Sequence, residues 1–168
     1  ETAHIATQAA LTGHLVFSTL HTNDATSTIS RLQNMGIESF LISASLLGVA
    51  AQRLMRRICP HCIEPYVPPP GQIEYWGLEN HPDPRFSRGK GCSLCMNTGY
   101  KGRVGIFEIQ MIDDQVREMI FSNMSSAEIS STLCDEGKLR LLKTSAAEKI
   151  AQGITTFQEA TETVVLYQ

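Results

Sequence analysis

The pattern of apolar and polar residues predicts a chain of the mixed α/β class. Residues 2–11 predict a short helix that ends at Gly13. The apolar run 14–21 has apolar side chains on both alternating faces, which predicts a strand buried on both sides, as in a parallel sheet covered by helices. Polar residues 22–24 can cap a following helix, which ends at Gly36. Together these features predict a strand, turn and helix unit.

Two further strands and a helical C-terminal part are predicted downstream. Ser39 can cap a helix over residues 40–47. Residues 48–58 fit either a helix or a strand, and a strand is favoured; residues 104–109 predict another strand. The C-terminal part predicts four helices, over about residues 114–121, 126–136, 139–152 and 157–166. The second and fourth of these start at capping boxes, which are formed by Ser125 with Glu128 and by Thr156 with Glu159.

The segment 59–102 differs in composition from the rest of the chain. It contains all seven prolines, many glycines and four of the five cysteines. Such a stretch cannot form long helices and has little apolar mass of its own, so we expect something else to order it.

The four cysteines of this segment form two CxxC knuckles, which are Cys59 with Cys62 and Cys92 with Cys95. One tight turn can aim two thiolates at one ion, and two such turns complete a tetrahedron. The pattern predicts a structural metal site with zinc as the default ion, although the intervening segment is longer than usual. Iron in a rubredoxin-like site and a set of buried or disulfide-linked cysteines remain alternatives. Cys134 lies on a predicted helix and is expected to be a core thiol.

Composition and charge exclude several classes of protein. Hydrophobic residues make up 42% of the chain and charged residues 18%, which is typical of a globular protein, and no run of about 18 apolar residues could span a bilayer. The net charge of -3 and pI near 5.9 argue against a nucleic-acid partner. The first residues carry neither an initiator Met nor a signal sequence, so we expect an excised piece of a cytoplasmic protein whose cysteines bind metal or stay reduced.

Two histidines bracket the predicted buried strand. His14 and His21 would lie about 23 Å apart on an extended strand, too far to touch the same phosphate. Ligands of open parallel sheets collect beyond the carboxyl ends of strands, which favours the end that carries His21. From the residues alone, a structural role and a functional role both stay open.

Several motifs in a shared order resemble one protein family. Residues 12–23 resemble the histidine box of the secretion superfamily of hexameric ATPases. The two knuckles and their flanking residues are similar to the subgroup with a tetracysteine insertion, which comprises type II secretion ATPases and type IV pilus extension ATPases. The matching stretches are residues 1–3, 12–23, 52–62, 91–95, 98–108 and 153–159.

The resemblance implies a fold and a division of the chain. The fold would be the C-terminal half of a RecA-like P-loop NTPase domain with a four-cysteine metal-binding insertion and a helical C-terminal subdomain. Residues 1–58 would belong to the ATPase core after its Walker B segment. Residues 59–102 would form the zinc-binding insertion, and residues 103–168 the return strand and the C-terminal helices.

The resemblance also implies a function for the intact parent. Such proteins are cytoplasmic ring ATPases, peripheral to the inner membrane, that use ATP and Mg²⁺ to extrude pilin-like subunits. The implied partners are platform proteins of the inner membrane or the secretion apparatus, and other ATPase subunits of a homo-hexamer; no nucleic acid is expected. Whether the parent serves secretion or pili stays open.

The catalytic parts implied by the resemblance are split. The phosphate-binding loop, an acidic box and the Walker B glutamate would all precede residue 1, and no GxxxxGK[ST] motif occurs in the sequence. We therefore expect no ATPase activity from this chain alone. In the parent, His21 would contact the γ phosphate and His14 would hold neighbouring elements together. A basic cluster could meet a neighbouring subunit or phosphates, or form a solvated rim; it comprises Arg53, Arg56 and Arg57.

Two other functions are compatible with the residues. The first is a zinc-ribbon adaptor without enzymatic activity, for which the C-terminal helices would be a scaffold. The second is an electron-transfer protein with iron in the four-thiolate site.

Overall fold

A computed structural model describes residues 1–165 of the chain. The helices are α1 (Thr2–Leu11), α2 (Ser27–Asn34), α3 (Ser39–Ser45), α4 (Pro70–Tyr75), α5 (Asp114–Phe121), α6 (Ser126–Asp135), α7 (Leu142–Ala151) and α8 (Phe157–Ala160). The strands are β1 (Gly48–Ile58), β2 (Ile63–Pro65), β3 (Ser87–Gly89) and β4 (Tyr100–Met111). A 3-10 turn spans Ser93–Cys95, and a π-helical stretch, Thr161–Val165, follows α8. The α/β class is confirmed, and no helix of residues 1–165 combines the length and apolar character that a bilayer crossing needs.

The long strands β1 and β4 pair with each other. The carbonyl of Leu47, before β1, accepts a hydrogen bond from the N–H of Ile112, after β4. Cys59, after β1, donates its N–H to the carbonyl of Gly99, before β4, so the two strands run antiparallel. The favoured strand interpretation of residues 48–58 is therefore correct. The short strands β2 and β3 form a second antiparallel pair, with Ile63 opposite Gly89.

The chain divides into two compact units, which we call the N-unit and the C-unit. The N-unit comprises Glu1–Ala51 and Glu108–Arg140, and the C-unit comprises Gln52–Phe107 and Leu141–Gln168. The core of the N-unit is built by helices whose buried side chains include Ile29, Ile42, Val116, Ile120, Ile129 and Leu133. Within it, the Ser43 carbonyl accepts a hydrogen bond from Nη1 of Arg117 at 2.6 Å.

The predicted buried strand over residues 14–21 is not formed. This segment has no regular secondary structure, and most of its apolar side chains are exposed, with Leu15 at 70% and Phe17 at 88%. A strand buried on both faces needs neighbours at its edges to bond its backbone N–H and C=O groups. None of the strands in residues 1–165 pairs with this segment, which explains why the apolar pattern alone does not produce a strand.

Helix boundaries agree closely with the local signals, and the exceptions involve caps. The N-cap of α2 is Thr26 rather than residues 22–24, although the Asp24 carboxylate accepts from the Ser27 N–H at 2.7 Å. Ser39 is the first residue of α3 and not its cap, because its hydroxyl donates instead to Asn123 Oδ1 at 2.6 Å. The third C-terminal helix begins at Leu142, three residues later than predicted. Leu166, the predicted end of the last helix, lies outside the described residues.

In the C-unit, the stretch between the two knuckles packs against the C-terminal helices. We call residues 66–86 the arm. Its Trp76 and Leu78 are each 5% exposed, and the Phe86 ring lies 5.3 Å from the ring of Phe157. The N–H of Arg85 donates to the carbonyl of Ala151 at 2.7 Å. The C-terminal helices therefore supply packing partners that this segment does not have on its own.

Candidate metal centre

The fold brings the four knuckle cysteines together. Cys59 directly follows β1 and Cys62 directly precedes β2, while Cys92 and Cys95 border the 3-10 turn. All four Sγ atoms lie within 4.8 Å of one another. The Sγ distances are 4.0 Å for Cys59 to Cys92, 3.9 Å for Cys62 to Cys95 and 3.7 Å for Cys92 to Cys95.

These distances fit a single tetrahedral ion. A zinc–sulfur bond length of about 2.3 Å places the corners of a regular tetrahedron about 3.8 Å apart. The observed separations of 3.7 to 4.0 Å match this edge and are far too long for a disulfide bond. All five cysteines are free thiols. The four knuckle cysteines could therefore hold a metal ion with every position of a tetrahedron filled.

Backbone N–H groups surround the sulfur atoms. Gly91 donates to Cys62 Sγ at 3.3 Å, and Cys95 Sγ accepts from the N–H of Cys92 at 3.2 Å and from that of Gly99 at 3.3 Å. Burial raises the pKa of the Cys62 thiol to about 12, although the Gly91 N–H opposes this. Burial also raises the pKa of Cys95, but its two N–H donors lower it more, to about 6. The donors thus favour thiolate at Cys95, and binding of a metal releases the remaining protons.

Two glycines allow the second knuckle to approach β3 closely. A Cβ atom on Gly89 would lie 2.0 Å from the carbonyl oxygen of Gly99, and one on Gly99 would lie 2.6 Å from that of Gly89. Gly99 also has a φ of +77°, which disfavours any side chain. The positions of Gly89 and Gly99 were not singled out from the sequence; a glycine that closely follows a CxxC knuckle is the signal that could have indicated one of them.

The other cysteine and the knuckle histidine lie apart from this set. His61 is exposed, and no His, Asp or Glu joins the four cysteines in a group that could hold a metal within the described residues. Cys134 is half-buried on α6, and burial raises the pKa of its thiol. The residue expected to be a core thiol is thus only half-buried.

The predicted histidine sites lie in the N-unit, and the predicted arginine sites lie in the C-unit. His14 and His21 are both exposed, and Oγ1 of Thr12 lies 3.1 Å from Nδ1 of His14. Arg53 is half-buried on β1, whereas Arg57 is exposed on the same strand. The roles assigned to these residues therefore stay predictions.

Arg56 is engaged within the C-unit. Its Nε donates to Glu159 Oε2 at 2.6 Å, and its Nη2 lies 3.3 Å from Glu162 Oε2. The guanidinium also lies 4.3 Å from the ring centre of Tyr100. The hydrogen bond with Glu159 raises the pKa of Arg56. We call Arg56, Tyr100, Glu159 and Glu162 the clasp.

Two buried carboxylates were not singled out as site residues from the sequence. Glu159 is 5% exposed on α8, and Glu108 is 2% exposed on β4. The signal for Glu108 is a charged residue that shares one strand face with Ile106, which is fully buried. For Glu159, the capping-box motif predicts a bond to the nearby backbone of Thr156. The sequence therefore gives no signal for the bond between Glu159 and the distant Arg56.

Comparison with known proteins decides the family. The sequence profile of the type II/IV secretion system protein family matches residues 1–162. The chain belongs to the type II/IV secretion system protein family. Among family members, the type IV pilus assembly ATPase PilB of Thermus thermophilus is 47% identical over 161 residues, which are 95% of this chain and 18% of that protein. Type II secretion system protein E of Dickeya dadantii is 48% identical over 164 residues, and its namesake in Pseudomonas aeruginosa is 44% identical over 159 residues. Each of these two matches covers 95% of this chain and 31% of the relative.

The fold of this family member is also found among solved structures. The crystal structure of the pilus retraction motor PilT with bound ADP matches with a TM-score of 0.61 at 23% identity. The match covers 96% of this chain and 35% of the PilT chain. The chain thus spans less than a third of the length of these three relatives and about a third of the structural match.

Proposed function

We propose that this chain is the C-terminal part of a cytoplasmic hexameric ATPase that powers type II protein secretion or type IV pilus assembly. The family match over residues 1–162 carries this proposal. It is supported by the names of the relatives, which include a pilus assembly ATPase and type II secretion proteins. The partners proposed are further copies of the ATPase and proteins of the secretion or pilus apparatus at the inner membrane.

Zinc is the ion proposed for the four thiolates. Cys59, Cys62, Cys92 and Cys95 would fill all four positions of a tetrahedral ion, so that none remains for water or substrate. The ion would have a structural role, because it would close the two knuckles at the junction of β1 and β4. The N–H groups of Gly91, Cys92 and Gly99 hold the sulfur atoms in place and offset part of the thiolate charge.

We propose the following roles for the three stretches of the chain. Residues 1–58 would contribute to the ATPase core, residues 59–102 form the zinc insertion and residues 103–168 the return strand and helices. His21 would contact the γ phosphate of ATP bound with Mg²⁺, and His14 would support the neighbouring elements. Arg53 and Arg57 stay candidates for a nucleotide or subunit contact, whereas the contacts of Arg56 favour the role of a structural clasp.

The chain alone is proposed to be inactive, since the sequence contains no phosphate-binding loop. Activity is therefore tested in a chimera, in which this chain replaces the 161 matched residues of the Thermus thermophilus pilus assembly ATPase. We expect the chimera to hydrolyse ATP and the chain alone not to. We expect His21→Ala to lower kcat at least about tenfold, because it removes a transition-state contact, whereas His14→Ala mainly lowers thermal stability.

Two results would contradict the proposal. One is ATP hydrolysis by the purified chain at a rate comparable to that of the chimera. The other is a chimera that binds zinc and unfolds cooperatively but hydrolyses no ATP while the unaltered relative does. An adaptor without enzymatic activity would account for the second result.

A further inference from the structure

The turn that follows His21 is held by its own side chains. We call residues 22–28 the histidine turn. Asp24 Oδ1 accepts from the N–H of Ser27 at 2.7 Å and from the hydroxyl of Thr26 at 3.2 Å. The hydroxyl oxygens of Thr22 and Thr28 lie 2.9 Å apart, which joins the two ends of the turn. The turn is therefore a defined local structure that leads into the first two residues of α2.

One hydrogen bond ties this turn to a distant part of the N-unit. The N–H of Ala25 donates to Oε1 of Glu108 at 2.9 Å, across 83 positions of sequence. Both groups are buried, with Ala25 at 0% and Glu108 at 2% exposure. The acceptor comes from β4, whereas every other side-chain bond just described is local.

A buried carboxylate at this position has a cost that an apolar residue would avoid. Removing a charge from water is unfavourable unless hydrogen bonds compensate it. Ile106, two positions earlier on the same face of β4, is fully buried without such a cost. The carboxylate of Glu108 therefore supplies the bond to Ala25, which no apolar side chain at this position could make.

We propose that Glu108 is a positioning residue for the nucleotide site, acting through the backbone of Ala25 on the histidine turn and thereby on His21. His21 is exposed and lies in no helix or strand, so its placement depends on the turn that follows it. The proposal rests on the proposed contact between His21 and the γ phosphate. It makes β4, a strand far away in sequence, part of the support of that site.

The hydrogen bond is tested first in the full chain by NMR of the Ala25 amide. Glu108→Gln keeps the shape and an oxygen acceptor but loses the charge, so the Ala25 amide proton is expected to shift upfield. Glu108→Leu removes the acceptor and is expected to raise the exchange rate of this amide about tenfold or more. The matched control is Gln110→Met, the next side chain on the same strand face, which is also 2% exposed and should leave the Ala25 amide unchanged.

The functional consequence is tested in the chimera. Glu108→Leu is expected to lower kcat about tenfold or more with KM within about threefold, because a misplaced His21 loses contact in the transition state. Glu108→Gln, which keeps an oxygen acceptor, should retain most of the activity that Glu108→Leu loses. A purely packing role would not require an acceptor at this position. Combining Glu108→Leu with His21→Ala should add little to the loss caused by His21→Ala alone.

The outcomes separate this inference from the proposed function. An Ala25 amide proton that does not move in Glu108→Gln overturns the inference, even where Glu108→Leu fails to fold. Additive losses in the double variant also overturn it. A chimera in which Glu108 variants shift the amide as expected, but His21→Ala leaves kcat unchanged, contradicts the proposed role of His21 and with it the placement of this turn at the nucleotide.

Discussion

At the scale of single residues, the clasp shows how a local signal and a long-range contact compete for one side chain. The sequence predicts a capping box in which the Glu159 carboxylate returns to the backbone of Thr156. The Thr156 hydroxyl does accept from the N–H of Glu159 at 3.2 Å. The Glu159 carboxylate, however, accepts from the backbone and the side chain of Arg56, at 2.8 and 2.6 Å. Only half of the predicted capping box is formed, because the charged donor offers a stronger bond.

We predict that Glu159→Ala destabilises the C-unit by about 2 kcal/mol, a value reduced from that of a fully buried pair because Arg56 is partly exposed. The side chain of Arg56 is 47% exposed, whereas that of Glu159 is 6% exposed. Urea unfolding followed by the fluorescence of Trp76, the single tryptophan, measures the change. The control is Glu64→Ala, which breaks the exposed pair with Arg88 and should cost less than about 0.5 kcal/mol. Equal effects of the two substitutions would contradict the role of the clasp.

Two glycines provide a second residue-scale prediction. Gly99 and Gly102 have similar φ angles of +77° and +80°, but a Cβ on Gly99 would collide with Gly89, whereas nothing lies within 4 Å of one on Gly102. Gly102→Ala should cost about 1 kcal/mol through backbone strain and leave metal affinity unchanged. Gly99→Ala should cost more and weaken zinc binding about tenfold or more, because the knuckle must move away from β3. Competition with a zinc-binding dye measures the zinc affinity of both variants. Equal affinities would contradict a role of the close approach between Gly99 and Gly89 in zinc binding.

At the scale of elements, local signals predict most of the helices and the long strands β1 and β4, but they wrongly predict a strand over residues 14–21. The Ser125 capping box of α6 and the N-cap of α5, Asp113, stem from residues within one turn of the helix start. The strand predicted over residues 14–21 fails because its formation depends on neighbours that an apolar pattern does not specify. The four knuckle cysteines do lie together as their spacing predicts, because each CxxC spacing specifies a local turn that places two thiols side by side.

The arm shows that the composition of one segment does not predict which distant residues pack against it. Its prolines and glycines indicated a stretch ordered mainly by metal. The structure adds a second anchor, because Trp76 is buried and the ring of Tyr75 lies 4.1 Å from Lys143 Nζ. This packing partner comes from α7, more than sixty positions later in sequence, so no pattern within the arm could indicate it.

The segment between the knuckles is held both by the proposed metal site and by the packing of the arm against the C-terminal helices. We therefore predict that it loses its structure in two steps. Chelation should open the knuckles first, so that trypsin cleaves after Lys90 and Lys101, which are exposed beside Cys92 and Gly99. Cleavage after Arg85 should be slower, because its backbone is bonded to Ala151 in α7. Mass spectrometry of the fragments over time measures the order. In a Trp76→Ala variant the site at Arg85 should be cleaved together with the others; simultaneous cleavage in the unsubstituted chain would contradict the second anchor.

At the scale of the whole molecule, the largely exposed segment 14–21 offers a test of the proposal that this chain is part of a larger ATPase. Phe17 is 88% exposed, so Phe17→Ala should change the free energy of unfolding of this chain by less than about 0.5 kcal/mol. If the segment becomes a buried strand in the chimera, the same substitution should cost about 3 kcal/mol or more there. Scanning calorimetry of both proteins measures the difference. A small effect in both would argue that the segment is not buried in the larger protein.

The central claim, that a zinc ion held by four thiolates organises this family member, is tested most directly by metal analysis of the purified chain. Elemental analysis combined with X-ray absorption at the zinc edge should give about one zinc per chain with four sulfur neighbours at about 2.3 Å. Iron, no metal, or a shell containing nitrogen or oxygen in place of one of the sulfurs of Cys59, Cys62, Cys92 or Cys95 would contradict the account.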